Sequence, residues 1–170
     1  GKGTRRYNNE TDSTAGTEAS RHGEKKMKYF KPELFVAFNS EDARIANRAS
    51  HAWEQAVTAY DQHLKSIRRR LPPAVRKLSK LYLHDAEYRG FVGELAAPEN
   101  RFAQLIVNQH EQWFSFSYFL LEEPLVTPPI NDRVFSDHGV LWLYYLLDLR
   151  YPSDVSHEVL FSNGSVFRFR

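Results

Sequence analysis

The period of the hydrophobic pattern changes once along this chain, near residue 85, and that change limits the fold more than any other feature. Before it, apolar residues recur at Ile45, Ala49, Ala52 and Trp53, Ala56, Tyr60, Leu64, Ile67 and Leu71. Intervals of three and four draw one stripe along a single helix. After it, "QWFSFSYFLL" (112–121) alternates Phe114, Phe116, Tyr118 and Leu120 with Ser115 and Ser117, the period of a half-buried strand. Helices followed by a run of strands predict an α+β domain. The expected architecture is two N-terminal helices, the first one long, packed on a C-terminal antiparallel sheet of five to six strands.

The helical part has readable ends. "NSED" offers a start, with Asn39 or Ser40 as N-cap and Glu41 and Asp42 in a first turn where the helix dipole favours acids. Pro72 and Pro73 stop the helix after Leu71, giving a rod of roughly 45 Å. A rod of that length is also the expected surface for any homo-oligomer. Pro73 suits the first turn of a second helix with Val75, Leu78, Leu81 and Tyr82 on its stripe. Upstream, "MKYFKPELFVAF" (27–38) supplies apolar residues to cap a core, and Pro32 can open a short helical turn.

Beyond residue 85, residues 86–95 read as a strand in which Gly90 and Gly93 signal a bulge or a close backbone approach. "RFAQLIVN" (101–108) reads as the neighbour of 112–121, joined through the polar turn "NQHE". "VLWLYYLLDLRY" (140–151) is apolar on both faces, as a central or doubly covered strand would be. Asn163-Gly164 in "EVLFSNGSVFRFR" predicts a two-residue type I′ hairpin with positive φ at both residues. The Pro-rich stretch 122–139 is a longer connection than hairpins need.

Residues 1–26 contain little that is apolar beyond Tyr7 and two alanines, and they precede Met27, the single methionine. Such a segment cannot offset the entropy of ordering, so a disordered arm or a non-native extension is expected. The body is then one domain over 27–170, helical over 39–84 and sheet over 85–170. No cysteine is present, which excludes a disulfide framework, a thiolate metal site and a cysteine nucleophile. No apolar run is long enough for a signal peptide or a membrane span. A cytoplasmic protein without cofactor or membrane partner is expected.

Charge is unevenly spread. From Met27 onward, 17 basic and 17 acidic residues cancel. Within that body, residues 44–80 hold nine Lys/Arg against two acids, and 81–170 hold six against twelve. The simplest consequence is that the two halves attract each other inside one fold. The alternative is a bipolar surface that steers a charged partner. The run "KSIRRRLPPAVRKLSK" (65–80) concentrates the cations, and Arg68, Arg69, Arg70, Arg76 and Lys77 are the candidate binding residues. Grouped at helix ends they could grip phosphates, with Tyr60 and Tyr82 nearby for base stacking. The neutral body and the lack of aromatics within the arginine run argue against nucleic acid.

The helix–Pro-Pro–helix arrangement, "LHDA" opening a meander and the closing "VLFSNGSVFRFR" resemble a bacterial group catalogued as domain of unknown function 4085. Its members begin like "MKYF..ELF" and end on a strand pair like "WLYYLLDL…HEVLFSNG". The resemblance covers Met27 to Arg170. It implies helices followed by a sheet, and it brings no activity or catalytic residues.

Three His–acid couples could carry chemistry: His84-Asp85, His110-Glu111 and Asp137-His138. Imidazole and carboxylate are the zinc or iron ligands left to a chain without cysteine. Adjacent residues on a strand point to opposite faces, so a metal would need one residue from each of several loops. No H-E-x-x-H helix, G-x-S-x-G elbow or phosphate loop is present. His84-Asp85 is therefore read as a polar hinge where the second helix ends. The function expected is a non-enzymatic interaction module for an unknown protein partner, immunity- or regulator-like, with a charge-polarised surface. A metal-dependent or acid/base hydrolase using His84, Asp85, Asp137 and His138 is the alternative. RNA binding through the basic run is the third reading.

Overall fold

The computed structural model describes residues 27–94, 99, 101–130, 139–151 and 154–170. Three helices, α1 (Pro32–Phe38), α2 (Ala43–Ile67) and α3 (Pro73–Leu78), precede seven strands. These are β1 (Ala86–Glu94), β2 (Phe102–Gln109), β3 (Gln112–Phe119), β4 (Leu125–Val126), β5 (Leu141–Tyr151), β6 (Asp154–Phe161) and β7 (Val166–Phe169). All pairings are antiparallel in one sheet of order β3-β2-β1-β5-β6-β7-β4. The fold is α+β as expected, with one strand more than the expected five to six. The addition is β4, a two-residue strand in the Pro-rich connection that pairs through Leu125↔Arg168 and Val126↔Phe167. So short a pairing leaves no period to read.

The long helix is shorter than its apolar stripe suggests. Asp42, not Asn39 or Ser40, is its N-cap, accepting the Arg44 N–H at 2.8 Å. Asn39 instead closes α1, its side-chain amide donating to the Phe35 carbonyl. At the other end the helix stops at Ile67, and Arg68–Leu71 form a turn before the prolines. Proline at 72 has no N–H and disfavours helical backbone at Leu71, so the final turn unwinds ahead of it. α3 ends at Leu78 rather than reaching residue 84, and Leu81 is 37 % exposed.

The sheet is folded over at the β1–β5 junction, where only Ala86↔Trp142 and Glu87↔Leu141 pair. Past that corner the β1–β3 half lies over the β5–β7 half. Tyr88 and Phe91 meet Phe167, Phe116 meets Trp142, and Tyr118 stacks on Phe169 with centroids 4.1 Å apart. A bond from Leu121 N–H to the Arg170 carbonyl ties the ends of the two halves. The interior holds Leu83, Ala86, Leu105, Val107, Trp142 and Val159, nearly all without solvent contact. The bulge expected at the β1 glycines is present, as a register shift between Tyr88 and Gly90.

A second core joins the helices to the outer face of β5–β7. Met27, Phe30 and Tyr60 pack there with Leu143, Leu146, Leu160 and Val166. β5 is thus covered on both faces, as its sequence predicts: Trp142 and Tyr145 point to one core, Leu143 and Leu146 to the other. A register shift between Trp142 and Tyr144 lets the strand change faces. Because β1 leaves β5 so early, β5 needs another partner for its backbone. The Leu147 N–H donates to the Tyr60 hydroxyl at 2.9 Å, so α2 takes over that role. Burial of this phenol raises its pKa above the ordinary tyrosine value. His63, one turn on, sets Nε2 3.1 Å from Asp148 Oδ1 and ties the same helix to the same strand.

The terminal hairpin corrects an expectation. Gly164 has φ +80°, but Asn163 is not in the positive-φ region, so no two-residue type I′ turn forms. Gly164 N–H bonds the Phe161 carbonyl and Phe161 N–H bonds the Ser165 carbonyl, which makes Ser162–Gly164 a three-residue loop with a left-handed glycine. Asn163 Oδ1 accepts from both the Ser165 N–H and hydroxyl, and this local bonding holds the asparagine in place. The tight turn with two positive φ values lies elsewhere, at His110 (48°) and Glu111 (67°) between β2 and β3.

Candidate anion-binding cleft

The turn between α2 and α3 bends the basic run around one cleft. Arg68 and Arg69 leave the end of α2, and Pro73 starts α3 in the opposite wall, with Arg76, Lys77 and Lys80 following at helical spacing. Together these six residues line a cleft of about 490 Å³. Four of the five cations predicted from sequence converge there. Arg70 does not line it; its N–H closes the turn onto the Ile67 carbonyl. Lys80 is the addition, and the interval of three and four from Lys77 and Arg76 is the signal that places it on that face.

No carboxylate among the described residues lines the cleft. Among the described residues, Arg68, Arg69, Arg76, Lys77 and Lys80 form no ion pair, while the exposed pairs elsewhere on α2 are local, as in Lys65–Asp61. None of these five cations makes a direct pair with the acidic half among the described residues. The C-terminal dipoles of α2 and α3 offset part of their repulsion. The remaining field favours an anion, and three guanidinium forks beside two ammonium groups suit carboxylates or phosphates.

Stacking partners are missing from the lining. Tyr60 is buried beneath α2 with its hydroxyl engaged, and Tyr82, 79 % exposed, stacks on His84. Neither ring lines the cleft.

The His–acid couples do not assemble. His84 Nδ1 lies 3.0 Å from Asp85 Oδ2, so these side chains serve each other. Their backbone does the positioning: Asp85 has φ +67° and donates its N–H to the Trp142 carbonyl, and Gln109 Nε2 donates to the His84 carbonyl. The pair is a hinge between α3 and β1, several residues after the helix end where it was expected. His110 and Glu111 form the exposed tip of the β2–β3 turn. Asp137 and His138 lie outside the described residues. Among the described residues no three His, Asp or Glu side chains gather as a metal would require. Ser66 and Ser79 donate to helix carbonyls, those of His63 and Arg76.

One polar pair was not singled out from the sequence. His157, 3 % exposed, sets Nδ1 2.8 Å from the Tyr118 hydroxyl inside the curled sheet. Burial pushes the imidazole pKa down to about 3 and the phenol pKa above its usual value, so both stay neutral. The alternation His157, Val159, Phe161 was the available signal, since it puts the histidine on the inward face.

No protein-family model matches this chain, and no curated protein or solved structure matches it. The resemblance to domain of unknown function 4085 rests on the quoted motifs alone. No helix among the described residues is long and apolar enough to cross a membrane.

Proposed function

We propose that this chain is a non-catalytic interaction module that receives an acidic segment of a partner protein in the cleft between α2 and α3. The observation that carries the reading is the convergence of Arg68, Arg69, Arg76, Lys77 and Lys80 around one cleft without a lining carboxylate. An acidic segment needs only charge-assisted donors, and this lining supplies them. Single-stranded RNA sites add aromatic platforms for the bases, and none is among the lining residues. The hydrolase reading draws no support from His84 and Asp85, which pair with each other. The cytoplasm is the proposed compartment, in keeping with a sequence without cysteine.

The test is fluorescence anisotropy with a labelled oligoglutamate peptide and with single-stranded and duplex RNA, each at low and physiological salt. The peptide should bind at low salt, weaken as salt rises, and lose its affinity in the combined variant Arg68→Glu, Arg69→Glu, Arg76→Glu. Submicromolar RNA binding that falls steeply with salt and vanishes in the same variant would replace this reading with an RNA-binding one.

A further inference from the structure

A second cavity, of about 270 Å³, opens where α3 roofs the end of the curled sheet. Pro72, Val75 and Leu78 form the roof, and the end of β3 forms one side. Leu147, Val155 and Phe169 contribute apolar walls, and Ser117, Tyr118, His157 and Arg170 are the polar residues of the lining. Another hollow, of about 330 Å³ against Phe167, has Tyr88, Thr127, Asn163 and Ser165 as the polar side chains among its described lining residues. The Thr127 hydroxyl and Asn163 Oδ1 already bond the Val166 and Ser165 backbone. The cavity under α3 is different, because one of its polar groups is unsatisfied.

His157 decides what such a cavity can recognise. A phenol is the stronger acid and an imidazole nitrogen the stronger base, so Tyr118 donates to Nδ1. The opposite arrangement would leave the phenol proton without an acceptor in the interior. With Nδ1 accepting, the ring proton sits on Nε2. That atom is buried and has no hydrogen-bond partner among the described residues. A buried N–H without an acceptor is costly, so an oxygen brought to it is strongly favoured over an apolar group. Arg170, at the rim, does not ask for an anion. Its guanidinium is held by Asp154 at 2.9 and 3.0 Å and by Glu122 at 3.2 Å. The apolar walls also make a charged guest expensive to desolvate. Tyr118 and Phe169, stacked on each other within 8° of parallel, form an aromatic wall beside which a further ring can pack.

We propose that the cavity beneath α3 binds a small neutral aromatic molecule carrying a carbonyl or ether oxygen, seated among Val75, Leu147, Tyr118 and Phe169 with its oxygen on the His157 imidazole. The volume admits a guest on the order of ten non-hydrogen atoms. This site is independent of the anion-binding cleft.

Acetophenone, ethylbenzene and benzoate are probes that separate these terms, with binding followed by amide chemical shifts of the full chain at neutral pH. Acetophenone should shift the amides of the lining residues and bind roughly tenfold more tightly than ethylbenzene, which lacks only the acceptor. His157→Phe should bring the two to equal affinity, and Val75→Trp, which fills the cavity from the roof, should remove both. Equal binding of acetophenone and ethylbenzene to the unaltered chain would overturn the proposal, as would shifts confined to other surfaces. Benzoate binding most tightly would overturn it too, by giving the site to Arg170. Should His157→Phe not fold, Val75→Trp still decides: acetophenone binding unchanged in that variant would sink the idea.

Discussion

Val75 and Arg76 are consecutive on α3 yet line different sites. Val75 roofs the cavity at the end of the curled sheet, and Arg76 faces into the basic cleft. A six-residue helix, held by the Tyr145 hydroxyl at the Leu78 carbonyl and just past its end at the Leu81 carbonyl, therefore separates an apolar hollow from a cationic one. Burial raises the pKa of that tyrosine to about 12, so the hydroxyl keeps the proton it donates.

The two neighbours should accordingly fail in different assays. Arg76→Glu is expected to weaken oligoglutamate binding about tenfold while the melting temperature barely changes. Val75→Asp should lower the unfolding free energy measured in urea by about 1 kcal/mol or more, because it puts a carboxylate against the cavity. Loss of stability in Arg76→Glu, measured by urea titration, would show that the cations hold the fold instead.

Stability should fall with acidity through His157. Its folded pKa lies far below the unfolded value, so the unfolded chain takes up a proton that the folded chain refuses. The contribution is complete above about pH 6.5 and is lost progressively as pH falls toward about 3. Each unit in that window removes about 1.4 kcal/mol. Asp154, whose carboxyl the Arg170 hydrogen bonds hold below the usual range, adds its own loss only in more acid solution. Urea titrations at pH 7.5 and 5.5 check this, and His157→Phe should flatten the slope between them.

The two β-turns should respond in opposite directions to glycine. Glu111 occupies a left-handed position at a real cost, so Glu111→Gly should stabilise by about 1 kcal/mol. Gly164→Val should destabilise by about 1 kcal/mol or more. Its φ is +80°, and a Cβ there would sit 3.1 Å from the Ile130 Cβ. Thermal melts of the two variants decide it, and equal signs would mean that the turn geometries are misassigned.

His84 and Asp85 should behave as a hinge. Asp85→Asn keeps a residue that tolerates positive φ and should fold normally, whereas Asp85→Val should lose about 1–2 kcal/mol. Metal analysis of the purified protein gives the contrary outcome. Stoichiometric zinc, iron or manganese that disappears in His84→Ala would make the pair a ligand set.

Deleting residues 1–26 should leave the melting temperature unchanged, while deleting through Phe30 should unfold the helical side. Met27 and Phe30 are 2 % and 1 % exposed in the second core, and full burial of each is worth about 1.5–3 kcal/mol. Calorimetry of both truncations checks the boundary.

The sequence by itself determined the order of helices and strands, the central place of β5, the bulge near Gly90 and the run of cations. Those features are local: each follows from a period of apolar residues, a proline or glycine, or a charge count within one segment. Only the tertiary structure decided how many of those elements pair and what they enclose. β4 exists because β7 offers Arg168 and Phe167 to Leu125 and Val126, and α2 is capped by Asp42 while Asn39 closes α1. Arg68 and Arg76 share a cleft because the chain turns between α2 and α3, and His157 meets Tyr118 because the sheet folds over at Ala86↔Trp142. Such meetings depend on contacts between residues distant in the chain, which no window of sequence contains. They are the contacts that make both candidate sites.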